Sequence, residues 1–278
     1  MLATLTALGL RIFSNPYSNV LQKRLTQNGV NPAQINFFTY LGLSLCCLFF
    51  IGHVHGVSLN AWIYASIGGL FGALGNGFLI KALECGELSV LGPINSYKSV
   101  VAMLFGIVLL GEIPSLLGIF GIFLIIGGSY FIFDKGEFRF SLLKRRDIQY
   151  RLLALIFTGC EAVFIKGVIN LTDVMTSFIF WCFFGAFFSL FFTQFKLKRP
   201  SNLNLVVLGV LILSTGIMQI STNFVFKHMN VSYALALFQL SIMLSVVFGW
   251  KFFNEKDVLR KLFGSMIMIC GAVILILA

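Results

Sequence analysis

The sequence has few charged residues: 11% of its 278 positions are Asp, Glu, Lys or Arg, and the acidic residues number 10. A water-soluble domain carries about 25% charged residues, so the deficit excludes a fold whose whole surface faces water. The chain instead holds 32 Phe and 27 Gly. Bulky residues that meet lipid and small residues that let helices approach are typical of a polytopic membrane protein.

Motifs of catalysis and cofactor binding are missing as well. The sequence contains no HExxH, GxSxG or Walker-type loop, which argues against an enzyme and against ATP as an energy source. Its 6 cysteines form no CxxC pair, and His53 and His55 alone make a poor metal site. We therefore expect neither a metal nor a cofactor.

The formal net charge of +10 raises the question of nucleic-acid binding. Most basic residues, however, lie between apolar stretches, where they indicate topology. By the positive-inside rule, the richer set of connections is cytoplasmic and both termini are outside. The predicted setting is a bacterial inner membrane, and the predicted partners are the lipid bilayer and a small-molecule substrate, with the chain a monomer or homodimer and no nucleic acid bound.

Ten stretches are long and apolar enough to be membrane-spanning helices, each of which needs about 20 residues. The first has no basic leader and no small-residue cleavage site, so we expect a retained helix rather than a signal peptide. The sequence thus predicts an all-α integral membrane protein. Its helices are predicted at Leu2–Gln22, Ala33–Ile51, Ala61–Leu83, Leu88–Leu110, Ile113–Phe133, Arg151–Asn170, Val174–Phe195, Leu203–Phe226, Val231–Phe253 and Val258–Ala278.

An internal repeat divides the chain at its most charged connection, residues 134–150, into halves 1–133 and 151–278. Glu255 lies 143 positions after Glu112, and the flanking Phe and Gly residues keep the same offset. Because each half has five predicted helices, the second must enter the membrane from the opposite side. Inverted repeats of this kind let a transporter open alternately to either face. Each of the two glutamates is expected to bind free amide groups where the next helix opens.

Two segments resemble a known family: "KALECGELSVLGPINSYKSVVAMLFGIVLLGEIPSLLGIFGIFLIIGG" and "KHMNVSYALALFQLSIMLSVVFGWKFFNEKDVLRKLFGSMIMICGAVILIL". Each resembles the pattern of a helix ending "LLGE" followed by an apolar, glycine-spaced helix. On this basis the chain is identified as a member of the drug/metabolite transporter (DMT) superfamily, EamA type. The resemblance implies ten helices around a central cavity, lined by predicted helices 1, 3, 4, 6, 8 and 9. Helices 5 and 10 would pack together away from it.

Three ionisable residues lie deep within predicted helices that the resemblance places at the cavity: Arg11, Lys98 and Glu161. A cation at the bilayer centre costs about 2.5–3.5 kcal/mol on insertion scales, so such residues usually face water or a counter-charge. One interpretation is a buried salt bridge, such as Lys98 to Glu161, that fixes helix packing. The other is a substrate site in which Glu161 couples to protons or acts as counter-ion.

The excess of positive charge favours an anionic or zwitterionic substrate, such as an amino acid or carboxylate metabolite. We therefore predict a secondary transporter that works by alternating access. The alternatives are a proton-coupled exporter of cationic drugs and, in a different class, a non-transporting assembly factor or scramblase. The predicted substrate-binding residues are Arg11, Asn15, Asn19, Asn76, Asn95, Tyr97, Lys98, Gln219, Asn223 and Gln239.

Overall fold

The computed structural model describes residues 2–98, 100, 115–133, 144–195, 200 and 202–277. These residues form α-helices joined by short turns, and none of them is in a β-strand. A 3-10 turn at Leu48–His53 extends the second helix. The helices are α1 (Leu2–Gln27), α2 (Pro32–Cys47), α3 (Leu59–Cys85), α4 (Leu88–Ile94), α5 (Leu116–Ser129), α6 (Arg146–Leu171), α7 (Val174–Phe192), α8 (Leu205–His228), α9 (Val231–Phe238), α10 (Ser241–Phe253) and α11 (Val258–Leu277).

Polar side chains fix where several of these helices begin. Asp173 accepts hydrogen bonds from the amides of Met175 and Thr176, at 2.7 and 3.1 Å, and so caps α7. An N-cap of this type satisfies amides that have no partner inside the helix. Helices α2, α3, α5 and α8 are capped in the same way by Asn31, Ser58, Ser115 and Asn204.

Seven helical segments of the described chain are long and apolar enough to cross a membrane. The first is Pro32–His53, which is α2 with its 3-10 extension. The other six are α3, α6, α7, α8, the α9–α10 pair and α11. The helix predicted at Leu88–Leu110 lies mostly outside the described residues, as do Glu112 and most of the 134–150 connection. The count of ten and the inverted orientation of the halves stay predictions.

The segment predicted at Val231–Phe253 is found as an apolar span from Tyr233 to Phe253, but it is not one continuous helix, because the chain turns at Gln239 and Leu240 between α9 and α10. The amide of Gln239 bonds the carbonyl of Ala236, three residues back rather than four. The same three-residue pattern follows α4 at Asn95 and Ser96. There Pro93 removes one helical hydrogen bond just before the break. Both halves therefore have a fourth helix that is interrupted at an equivalent place.

Glycines of α3 let that helix approach two others closely. A Cβ on Gly75 would lie 2.6 Å from the side chain of Thr158 on α6. A Cβ on Gly69 would lie 2.3 Å from Phe184 on α7. Since real Cβ atoms do not come this close, glycine is required for this spacing, which brings α6 against the middle of α3.

A second glycine contact joins α5 and α11. A Cβ on Gly121 would lie 2.7 Å from the carbonyl oxygen of Gly271, and one on Gly271 would lie 2.6 Å from that of Gly121. Gly128 and Gly264 face each other in the same reciprocal way, at 2.8 and 2.6 Å. These four glycines are members of the sequence repeat. The expectation that the fifth and last predicted helices pack together is confirmed.

Hydroxyl groups join α1 to α8. Ser18 donates to the Ser214 hydroxyl at 2.9 Å, and Ser214 donates to the backbone carbonyl of Ser14 at 3.1 Å. All three residues are buried. Interhelical bonds of this kind stabilise contacts that apolar packing alone would not orient.

Glu255 does not cap the helix that follows it, so that prediction is wrong. Its carboxylate instead accepts hydrogen bonds from the amides of Leu88 and Ser89, at 2.8 and 2.7 Å, at the start of α4. It also forms an ion pair with Lys23 of α1 at 2.7 Å. The amides and the lysine that Glu255 binds all belong to the first half of the chain. This contact therefore interlocks the two halves. Its repeat counterpart, Glu112, lies outside the described residues.

Candidate functional site

A cavity of about 110 Å³ lies between the two halves. It is lined from α1, α3, α6, α8, α9 and the start of α10, and from the chain that follows α4. These elements correspond to the predicted lining helices 1, 3, 4, 6, 8 and 9. Nine of the eleven predicted site residues line it: Arg11, Asn15, Asn19, Asn76, Asn95, Lys98, Glu161, Gln219 and Gln239.

Arg11 brings a positive charge into the cavity without a matching acceptor. Its Nε and Nη1 atoms are buried and have no hydrogen-bond partner. Its Cζ atom lies 4.8 Å from the centre of the Phe238 ring, which provides a cation–π contact only. A buried donor without an acceptor is costly, more so when it is charged. An anion in the cavity would remove that cost.

Lys98 is held by neutral groups of α6. Its Nζ donates to the backbone carbonyl of Thr158 at 3.0 Å and to the Thr158 hydroxyl at 3.3 Å. No ion pair within 4.0 Å joins Lys98 to Glu161, both of which the structure describes. The salt-bridge interpretation of the sequence is therefore wrong for this conformation, and the lysine charge is not neutralised by direct contact.

Glu161 is held by Trp181 of α7, whose indole Nε1 donates to the carboxylate Oε1 at 2.6 Å. The space for this carboxylate comes from Gly72 of α3. A Cβ on Gly72 would lie 2.4 Å from Glu161 Oε1 and 3.1 Å from Trp181 Nε1. Three helices thus fix the position of Glu161, the one acidic group among the lining residues that the structure describes.

Replacing Gly72 with alanine is expected to destabilise the fold by about 2 kcal/mol, since the new methyl group must displace a hydrogen-bonded carboxylate. Thermal unfolding of the purified protein in detergent measures the change. Gly77→Ala on the same helix is the matched control, because its Cβ would meet only Asn36 at an ordinary distance of 3.4 Å. Equal melting temperatures for the two variants would contradict the assigned role of Gly72.

Arg151 also lines the cavity, although it is not among the residues predicted from the sequence. It was placed at the start of a helix, whereas α6 begins at Arg146 and carries Arg151 inside. Its Nε donates to the carbonyl of Leu91 and its Nη2 to the side chain of Asn95, both at 2.9 Å. The polar residues 146–151 look like part of the charged connection, but they form the first turns of α6.

The two helix breaks meet at the cavity. Asn95, after α4, donates through Nδ2 to Oε1 of Gln239, after α9, at 3.3 Å. Asn95 is the residue that ends α4, and Gln239 is the residue that ends α9, so the contact joins the two breaks directly. Interrupted helices at the interface of two repeats are where transporters commonly bind substrate, because the break exposes polar groups to the cavity.

Two predicted residues lie outside the cavity lining. The Tyr97 hydroxyl donates to Ser129 of α5 at 3.0 Å, and Asn223 accepts a hydrogen bond from Gln219 at 3.0 Å. Asn223 therefore orients a lining residue, while Tyr97 ties the broken fourth helix to α5. Nothing in the sequence distinguishes these two polar residues from those that reach the cavity.

Comparison with known proteins gives one family and one fold. The model of the EamA-like transporter family matches residues 13–134 and 148–277. A solved structure titled "Crystal structure of protein" is similar, with 17% identity and a TM-score of 0.62 over 98% of this chain and 94% of that chain. At this identity the likeness concerns the fold alone. No curated protein matches the chain.

Proposed function

The chain belongs to the EamA-like transporter family of the DMT superfamily and is a membrane transporter, and on that premise we propose that it carries a small anionic or zwitterionic metabolite. Transport is by alternating access, in which the cavity opens to one face of the membrane and then to the other. The substrate binds in the cavity between the halves, where the interrupted helices α4 and α9 meet.

One observation carries this proposal: among the described residues that line the cavity, three are cationic, Arg11, Lys98 and Arg151, and one is acidic, Glu161. Arg11 adds buried N–H groups without a partner. Buried charge is stable when it is paired and hydrogen-bonded, so a bound anion would stabilise this lining and a bound cation would oppose it.

The hydrogen bond from Trp181 also bears on the choice between an anion and a cationic drug. A carboxylate that accepts a 2.6 Å hydrogen bond from a neighbouring helix is already partly satisfied. Arg11 Nε and Nη1, in contrast, have no acceptor. The hydrogen-bonding groups in the cavity that lack a partner are therefore cationic donors. This supports an anion or zwitterion as substrate over an organic cation.

Replacing Arg11 with glutamine is expected to weaken binding of anionic substrates by at least about tenfold, equivalent to about 1.4 kcal/mol. The measurement is a thermal-shift screen of purified protein against carboxylates, amino acids, phosphate monoesters and organic cations. The matched control is Arg24→Gln on the same helix. Arg24 also makes a cation–π contact, at 4.9 Å from Phe252, but it is exposed and outside the cavity.

Stabilisation by an anion or zwitterion that Arg24→Gln keeps and Arg11→Gln loses supports the proposal. Stabilisation by organic cations alone, unchanged in Arg11→Gln, would contradict it and favour a cation exporter centred on Glu161.

A further inference from the structure

We propose that the substrate is a small organic dianion, with one anionic group bound by Arg11 and the other by Lys98 and Arg151. This inference rests on the proposed function and narrows it, because it excludes zwitterions and monoanions as the preferred substrates. It is carried by the arrangement of the cavity's charges on two walls.

The first wall is formed by α1 and α9. Arg11 of α1 packs over Phe238 of α9, and the contact leaves its Nε and Nη1 without an acceptor. Asn15 and Asn19, on the same side of α1, also line the cavity. An anionic group beside Arg11 would therefore meet a charged donor and neutral amide donors together.

The second wall is formed by α6 and the end of α4. Each of these elements carries a cationic side chain that donates hydrogen bonds to the other. Lys98, after α4, donates to Thr158 of α6, and Arg151 of α6 donates to Leu91 and Asn95 of the fourth helix. The acceptors in both cases are neutral carbonyl, hydroxyl or amide oxygens. These bonds fix the two cations in place, and neither cation forms an ion pair with a described carboxylate.

The charge balance then selects the substrate. With their three cations and one carboxylate ionised, the lining residues that the structure describes carry a formal charge of +2. A zwitterion would leave this surplus unchanged and a monoanion would halve it, while a dianion would cancel it. A cavity of about 110 Å³ favours a compact molecule. Short dicarboxylates and small phosphate monoesters both have this chemistry.

Dissociation constants for three probes test the inference: succinate, propyl phosphate and succinamate. They are measured by calorimetry at mildly alkaline pH, where the first two are dianions. Succinamate is the monoamide of succinate, with nearly the same shape and one charge fewer. We expect the better dianion to bind at least about tenfold more tightly than succinamate, and comparison of succinate with propyl phosphate identifies the anionic group.

The variant Lys98→Met should reduce this preference to less than about threefold, since it removes one of the two charges that hold the second group. Lys81→Met is the matched control, because Lys81 is an exposed lysine of α3 outside the cavity. If Lys98→Met fails to fold, as judged by its thermal unfolding, Arg151→Gln provides the same readout.

The outcomes separate this inference from the function on which it rests. Succinamate or glycine binding as tightly as both dianions, with binding still lost in Arg11→Gln, would overturn the dianion and leave the proposed function intact. Binding of organic cations alone would overturn both. A dianion preference that survives in Lys98→Met and in Arg151→Gln would overturn the second wall as its cause.

Discussion

Replacing Glu255 with glutamine is expected to lower the free energy of unfolding by about 3–5 kcal/mol, because it leaves the buried charge of Lys23 without its partner. The ion pair is 2.7 Å long, and only 9% of the Lys23 side chain and 5% of that of Glu255 are exposed. The same carboxylate accepts the amides of Leu88 and Ser89 at the start of α4. One glutamate thus joins α1, α4 and the turn before α11.

Chemical denaturation in mixed micelles measures this loss. The control is Glu84→Gln, which removes an exposed carboxylate at the end of α3. A double-mutant cycle with Lys23→Met should give a large coupling energy, since the second substitution removes the charge that the first leaves unpaired. Glu255→Gln that is no less stable than Glu84→Gln would contradict the interlock between the halves.

The same contact makes stability depend on pH. Burial alone would raise the pKa of Glu255, but the charge of Lys23 and the hydrogen bonds from Lys23 and Ser89 outweigh it and lower the pKa below its ordinary value of 4.5. Because the pKa is lower in the folded state than in the unfolded state, the ionised carboxylate stabilises the fold fully at pH values above the unfolded-state pKa. This stability is lost as the pH falls through the folded-state pKa, and the Glu255→Gln variant should lack this part of the acid dependence.

Replacing Gly128 with leucine is expected to destabilise the fold by about 3 kcal/mol. A Cβ at this position would lie 2.8 Å from the carbonyl oxygen of Gly264 and 3.0 Å from the amide of Met268. These are backbone atoms of α11, so no side-chain rotation can relieve the overlap and the two helices must separate.

Gly127→Leu is the matched control, because a Cβ on Gly127, the preceding residue of α5, meets nothing within 4 Å. The two variants have the same composition and differ by one position on the helix. Thermal unfolding in detergent should show a loss for Gly128→Leu and little change for Gly127→Leu. If both lose stability equally, helix propensity rather than the α5–α11 contact is the cause.

The sequence predicts the packing contacts better than the polar contacts. The α5–α11 contact was expected from the family resemblance, and the repeated Gly121, Gly128, Gly264 and Gly271 supply the small residues that such a close approach needs. Glu255 was part of the same repeat, but its partners were assigned to the wrong helix. A carboxylate at a turn can bind any nearby amide, and only the folded chain shows that α4 begins beside it.

The candidate site shows the same difference. Arg11, Lys98 and Glu161 stand out because charge is rare within apolar stretches, and all three line the cavity. Arg151 lies next to a basic connection, so its charge does not stand out in the sequence. It lines the cavity because α6 begins at Arg146, five residues before it. The break at Gln239 has no proline to signal it, unlike the break that follows Pro93.

The serine contacts between α1 and α8 have a consequence for how the protein enters the bilayer. Helix α1 carries Arg11, Asn15, Asn19 and Lys23, and it is not among the segments apolar enough to cross a membrane by themselves. Ser214, the hydrogen-bond partner of Ser18 in α1, lies 196 residues further along the chain. The serine bonds of α1 can therefore form only after residue 214 has been synthesised, so α1 lacks these interhelical hydrogen bonds while the helices before α8 are being made.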